Sequence, residues 1–476
     1  MLTSTDMTFG LTVCEVVMLV IGSVFSQIFR SVIGDMNWNP SAIFYGGEPG
    51  VWYDPSDITT LFQDNLGATP VTAAGQTVGR ILDKSGRGNH ATQATLAQRP
   101  TYGINPITGT RNLLTRTEQF DNAAWGKTGT SISADAATAP DGTTTADLLS
   151  QTVVSLEHYA EQTGLQTTAG AYTASYYVKA GTVSSFQIMV VHSGQSPTTS
   201  TGTFNISDGV ITYFTGSGIV SGGSATSVGG GWYRCSISYT LSGSVTSHRT
   251  RIYAGLSGVF LGNAANNLLV WGAQVEQSAT ATAYQKVVSQ YEVTQAGVAS
   301  AFYLAFDGVD DGMVTATITP AIDEVQVFAG LRKLSDSAQK IVAEMSATIA
   351  SNNGAFALTA PNSAAANYNF STKGTTQTDN VVTTYTAPIT SVISGLGDIA
   401  GASNLIRVNG SQVGSVLTTQ GTGNYLAYPL YIGRRGGSTL PLSGRIYSLI
   451  MRFGPNLAAN QIVSAETWVN EKTGAY

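Results

Sequence analysis

Leu82-Asp83-Lys84-Ser85-Gly86-Arg87-Gly88-Asn89-His90-Ala91 is the stretch from which the rest of this 476-residue chain can be read. Its glycines suit a turn whose backbone must take positive φ. Asp83, Ser85 and Asn89 carry short polar side chains that can hydrogen-bond the turn's own amides. The apolar pair Ile81-Leu82 leads into it from a strand beginning near Gly79. The same punctuation runs through the whole chain, which holds 53 glycines and only 11% charged residues, against about 25% charged in an average domain. Such a composition suits many short strands joined by turns, and so a mainly β fold. An apolar fraction of 42% separates the chain from disordered sequences, which combine low hydrophobicity with high charge. The length is enough for about three domains of roughly 150 residues each.

The formal net charge is −6, which argues against a nucleic-acid partner, since such a protein carries a basic face. Arg434-Arg435 and His248-Arg249-Thr250-Arg251 are small basic clusters that read as solvated turn or strand residues. Cys14 and Cys235 lie in different elements, so no disulfide framework is expected and the fold must hold by packing and ladder hydrogen bonds.

Three segments in order, Trp52-Tyr53-Asp54-Pro55-Ser56-Asp57, the Asp83–Ala91 turn and Arg99-Pro100-Thr101-Tyr102, resemble the opening of a laminin-G-like (concanavalin A-like) domain of the kind found in bacteriophage structural proteins. In that family a strand reading Phe-Asp-Gly-x-x-Asp follows shortly. Here it comes two hundred residues later, at Phe306-Asp307-Gly308-Val309-Asp310-Asp311. The resemblance therefore implies a split β-sandwich, residues 51–110 plus 291–476, interrupted by a second module at 111–290. Gly103 to Thr110, dense in turn formers, reads as the junction.

The interrupting segment opens with Arg111 to Trp125 and continues through Ala139-Pro140-Asp141-Gly142, Tyr172 to Gly181, Gly230-Gly231-Trp232-Tyr233-Arg234-Cys235 and Leu269-Val270-Trp271-Gly272-Ala273-Gln274-Val275-Glu276. It resembles the carbohydrate-binding-module-type jelly roll of phage tail and head-fibre proteins. Strand alternation is plain in Tyr172 to Lys179. Tyr172, Ala174, Tyr176 and Val178 share one face, and Thr173, Ser175, Tyr177 and Lys179 the other. Gly216 to Gly231 reads as a Gly/Ser/Thr-rich hairpin with few core residues. Beyond Tyr284, further strands run to Met451, Asn409-Gly410 signals a type I′ hairpin, and a helix is expected from about Pro455 to Lys472. Leu457, Ile462, Ala465 and Val469 would face the sandwich, and Gly474 would end the run.

The first 35 residues differ from all this. Val16 to Phe29 is mainly apolar and should be helical, but it is short of the ~20 residues that cross a bilayer. Cys14, Val17, Ile21, Val24 and Ile28 follow the 3-4-3-4 spacing of a self-associating seam. A helix buried against partner chains, a membrane or ejection-related segment, and a translation start at Met36 all stay open. Residues 36–50 read as a polar connector.

Glucanases of the concanavalin A-like fold place two acids on one strand face, about 5 to 5.5 Å apart when retaining, and neither Glu-x-Asp-x-x-Glu nor Glu-x-Asp-x-Glu occurs here. His90, His158, His192 and His248 stand in no metal spacing, and no phosphate-binding loop is present. A non-enzymatic protein is expected. Asp307, Asp310 and Asp311 belong to a turn read as structural, with calcium as the alternative because hard oxygen ligands suit that ion; no other cofactor is expected. Sugar binding needs aromatic platforms with polar neighbours. Trp232 and Trp271 sit in strand motifs and read as core, whereas Trp125, His158 and Tyr159 lie in less regular segments and are the surface candidates. The resemblance implies a virion fibre, spike or decoration subunit. It would assemble with itself as a homotrimer and contact other virion proteins through the N-terminal helix. Its host ligand would be a surface polysaccharide. A depolymerase and a purely architectural protein are the alternatives.

Overall fold

The computed structural model describes residues 38–165, 168–206, 215–217 and 219–476. The expected apolar helix within residues 1–35, with Cys14 in it, lies outside the described residues. The protein is mainly β, built of antiparallel sheets, with one α-helix among the described residues, near the C-terminus. It divides into two compact units, residues 1–102 with 302–476, and 103–301.

In the first unit an early strand and a late one meet in one sheet. Gly50–Tyr53 pairs with Ser443–Phe453 in the register Gly50↔Arg452 to Tyr53↔Leu449. Ser443–Phe453 also pairs with Ser300–Asp307 and Glu324–Lys333. Ile389–Asp398, Ser403–Val408 and Ser411–Val416 extend the sheet to its edge. Asn409 and Gly410 join the last two strands at φ +50 and +76, the double positive φ of a type I′ turn. A second sheet of nine strands runs from Leu61–Phe62 to Gln377–Thr383. Side chains of the two sheets meet in the interior, where Phe453 of the first lies 6.1 Å from Phe356 of the second.

The turn at Asp83 folds around its own carboxylate. Oδ1 accepts from the amides of Trp52 and Ser85, both at 2.9 Å, and Oδ2 accepts from the Ser85 hydroxyl at 2.8 Å and the Asn89 amide at 3.0 Å. Gly86 and Gly88 take the positive φ the turn demands. Asn89 Nδ2 then donates to Gly50 O, so the turn is tied to the first strand.

The C-terminal helix spans Ala459–Thr473, starting later than Pro455 because the chain there is otherwise engaged. Pro455 O accepts from Arg452 at 2.8 Å and Asn456 donates to Asp398. Gln461 closes the N-terminus by accepting from Ala458 N. Ala465, Trp468 and Val469, with Leu457 and Ile462 partly covered, pack on Trp52, Phe328, Val392 and Ile450. Gly474, at φ +59, ends the helix.

In the second unit two six-stranded sheets enclose one core. Tyr172, Ala174, Tyr176 and Val178 face it from Gly170–Ala180, and Phe186, Ile188 and Val190 face it from Ser185–Ser193. Val220–Gly229 is a strand of the expected Gly/Ser/Thr-rich hairpin. It pairs along Trp232–Leu241 while burying almost nothing, so the ladder and not apolar packing holds it. The chain passes between the units at 102/103 and 301/302, not at 110/111 and 290/291. Thr101–Pro106 is strand, Ile104 N donates to Tyr291 O, and Ile107 N donates to Ala299 O, which draws both flanks into the second unit.

Candidate functional site

The three expected surface residues of the second unit are buried. Trp125 is 1% exposed; its indole packs 4.5 Å from Phe120 and its Nε1 donates to Arg116 O. His158 is fully buried with backbone carbonyls on both ring nitrogens, Gly129 O at Nδ1 and Phe260 O at Nε2. Tyr159 lies beneath the Arg251 guanidinium, 4.1 Å from its ring centre, and beside Tyr253. None of the three turns a free ring face to solvent. Their irregular segments look like surface in sequence because turns carry no periodicity, yet here they close the ends of a core.

An open aromatic cleft does exist, on the outer face of the sheet whose inner face carries Tyr172 to Val178. Tyr177 is directly opposite Arg234 on one neighbouring strand and Trp271 on the other. Residues directly opposite in an antiparallel pair project to the same face, so Arg234, Tyr177 and Trp271 form a row across three strands. A bulge at Gly272 breaks the ladder beside them. Gly272 has φ +59, and a Cβ there would stand 2.8 Å from the Tyr177 ring and 3.4 Å from that of Tyr284. Only glycine lets both rings close over this point. Tyr177, Trp271 and Tyr284 then cluster with centroids 5.2, 5.8 and 4.9 Å apart.

The cleft has a volume of about 630 Å³, and charged groups alternate with its rings. Arg234 stacks its guanidinium 5.4 Å from the Tyr177 ring centre and is held by Thr282 O at 2.6 Å and Ser175 Oγ at 3.1 Å. Among the described residues its Nε is buried without a hydrogen-bond partner. On the opposite side Val287 N donates to Thr117 Oγ1, which bonds the Tyr284 hydroxyl at 2.7 Å, and that hydroxyl donates to Glu118 at 3.2 Å. Lys286 Nζ closes the chain on the same carboxylate at 2.6 Å. Burial raises the Glu118 carboxyl above its ordinary range, with Lys286 opposing. Burial likewise raises the Tyr284 phenol well above 10, and the Glu118 charge adds to this. Asp141 lies at the rim.

Trp271 and Trp232 are buried as expected, though in a satellite cluster under this cleft and outside the main core. Their Nε1 groups donate to Thr145 Oγ1 and Thr138 O. The sequence did carry one signal for the site, Tyr177 as an aromatic residue on the polar face of an alternating strand. Arg234 and Tyr284 had none, because cross-strand register is set only on folding.

In the first unit Asp307, Asp310 and Asp311 bring carboxylate oxygens within 4.8 Å of one another. Asp307 Oδ1 accepts from Val309 N and Asp311 Oδ2 accepts from Asp307 N, so the turn uses one oxygen of each. Burial, then the Asp307 and Asp310 charges, push the Asp311 carboxyl up to about 7. The remaining oxygens fit part of a calcium shell, which takes six to eight oxygen ligands.

No family model matches the chain, and no curated protein sequence matches it. Distant structural similarities link parts of the chain to carbohydrate-binding and receptor-binding domains. The CBM40 of the Ruminococcus gnavus IT-sialidase aligns at 12% identity over 31% of this chain and 84% of its own, with a TM-score of 0.26. A heptameric SAP-like pentraxin of Limulus polyphemus aligns at 14% identity over 34% and 78%, with a TM-score of 0.27. The receptor-binding domain of botulinum neurotoxin mosaic serotype C/D aligns at 10% identity over 35% and 41%, with a TM-score of 0.28.

Proposed function

We propose that the protein is a non-enzymatic glycan-binding protein whose second unit, a jelly-roll module set into a split laminin-G-like sandwich, takes sugar in the Tyr177–Trp271–Tyr284 cleft. The observation that carries this reading is the row Arg234–Tyr177–Trp271. The half-buried rings of Tyr177 and Tyr284, backed by the buried Trp271, stand there within reach of cationic and anionic hydrogen-bonding groups, as packing against sugar C–H surfaces requires. Binding is favoured over hydrolysis because Glu118 is held by both Lys286 and Tyr284, which leaves a committed structural acid in place of a free acid–base pair. The setting we propose, from the sequence resemblance alone, is the surface of a bacteriophage particle, with a host polysaccharide as ligand.

The test is to titrate the full-length protein against a panel of bacterial surface polysaccharides by calorimetry, with product analysis by mass spectrometry. Saturable binding that Tyr284→Ala and Arg234→Ala each weaken, without new reducing ends, is the expected result. Chain cleavage would replace this reading with the depolymerase alternative. Binding unaffected by both substitutions would move the site elsewhere.

A further inference from the structure

The outer face that carries the aromatic cleft is unevenly charged. Its four strands Gly170–Ala180, Val220–Gly229, Trp232–Leu241 and Asn267–Glu276 hold three charged residues, Lys179, Arg234 and Glu276. Lys179 shares the face of Tyr177 two positions along the same strand, and Arg234 and Glu276 lie opposite Tyr177 and Thr173. Glu276 is fully engaged. Its carboxylate accepts from Gln274 Nε2 at 2.6 Å, from Thr282 N at 2.9 Å and from Thr282 Oγ1 at 2.6 Å, and it pairs with Arg111 at 3.9 Å. Among the described residues neither Arg234 nor Lys179 takes part in an ion pair.

Arg234 is also held ready. Thr282 O and Ser175 Oγ, both neutral, take one hydrogen from each Nη, and a guanidinium has five N–H donors in all. Among the described residues Nε–H and one hydrogen on each Nη are left over, and Nε is already shielded from water. A desolvated donor without an acceptor costs free energy until an acceptor arrives, and a half-buried charge gains most from a partner of opposite sign. The carboxylates bordering the cleft do not supply one. Glu118 is paired with Lys286 at 2.6 Å, and Asp141 Oδ1 accepts from the amide and hydroxyl of Thr143 in its own turn.

We infer that the cleft selects an acidic saccharide, one whose sugar ring bears a carboxylate, and that Arg234 receives this carboxylate while the ring lies against Tyr177 and Tyr284. The inference rests on the glycan reading of the cleft and adds the class of sugar. A carboxylate matches the guanidinium in shape as well as in sign, because two parallel N–H···O bonds fix the orientation of the ligand. Lys179 adds a second cation on the same face. A net charge of −6 gives the protein no general attraction for polyanions, so an acidic chain must be taken up at a built site.

The test varies ligand and protein together. Neutral and uronic-acid-containing bacterial surface polysaccharides are titrated into the full-length protein by calorimetry, the acidic ones both in native form and with their carboxyls reduced to primary alcohols. Reduction should weaken binding to the parent about tenfold or more. In Arg234→Gln the native and reduced forms should bind nearly alike, whereas in Tyr284→Ala both should weaken and the gap between them persist. Should circular dichroism show Arg234→Gln misfolded, Arg234→Lys, which keeps the charge and loses the fork, repeats the protein arm, and the two ligand forms on the parent decide by themselves. Binding confined to neutral polysaccharides, or equal binding of native and reduced forms, overturns the acidic-sugar inference and leaves the cleft reading in place wherever Tyr284→Ala still weakens it. A gap that survives Arg234→Gln puts the carboxylate elsewhere and overturns the inference too. Binding to no polysaccharide, or binding that Tyr284→Ala does not touch, overturns the cleft reading itself, and this inference falls with it.

Discussion

Asp83 shows how much one side chain can organise. Its carboxylate satisfies three backbone amides and a hydroxyl inside a nearly buried turn, and one of those amides belongs to Trp52, thirty-one residues earlier. Removing it strands buried donors, which costs more than the bonds themselves contribute. Asp83→Ala should therefore destabilise the first unit by about 3 kcal/mol, a fall of roughly 6 to 12 °C in its melting temperature for a unit of this size. Asp83→Asn, which keeps one acceptor oxygen, should lose less, and scanning calorimetry of the two variants checks the order. This residue was legible in the sequence because its partners lie mostly within its own turn. Trp125, His158 and Tyr159 were not, because their burial depends on Tyr176, Phe260 and Arg251, partners that chain order does not place beside them.

At the scale of elements, alternation and turn chemistry located the ladder strands, the Asn409-Gly410 hairpin and the C-terminal helix, since each is written in a window of fewer than twenty residues. The candidate cleft depends instead on register among three strands and on one bulge. Gly272→Ala tests that bulge directly. The new methyl group must displace the Tyr177 ring it would meet at 2.8 Å, so glycan affinity should fall about tenfold or more, about 1.4 kcal/mol, in calorimetric titration while the far-ultraviolet dichroism stays unchanged. The turn at Asp307 makes a separate prediction. Three carboxylates within 4.8 Å repel one another, and a divalent cation would relieve that repulsion. Millimolar calcium should raise the first unit's melting temperature, and Asp307→Asn should abolish the rise. No calcium effect at pH 8 would leave the turn purely structural.

For the whole molecule, two units with separate cores should unfold in two calorimetric transitions. His192 in the second unit is fully buried, opposite His248 in the ladder, with Nε2 bonded to Ser200 Oγ at 2.8 Å and Nδ1 without a partner among the described residues. Burial lowers its pKa below 6.5. A group depressed on folding contributes stability that is complete above its unfolded value and is lost as pH falls from there through the folded value. Asp147 in the same unit works the other way. Burial lifts its carboxyl to about 6, so below that pH it binds a proton on folding and adds stability until the unfolded value, about 3.9, is reached. The two effects oppose one another between about pH 6 and 4, which makes the parent's own pH profile ambiguous. The difference between parent and His192→Gln isolates the imidazole. Scanned from pH 7.5 to 5, the parent's second-unit transition should move down relative to the variant's below pH 6.5, while the first unit's transition stays the same in both proteins. A constant offset across that range would mean that His192 takes up its proton equally in folded and unfolded chains, and would assign the acid response to another group.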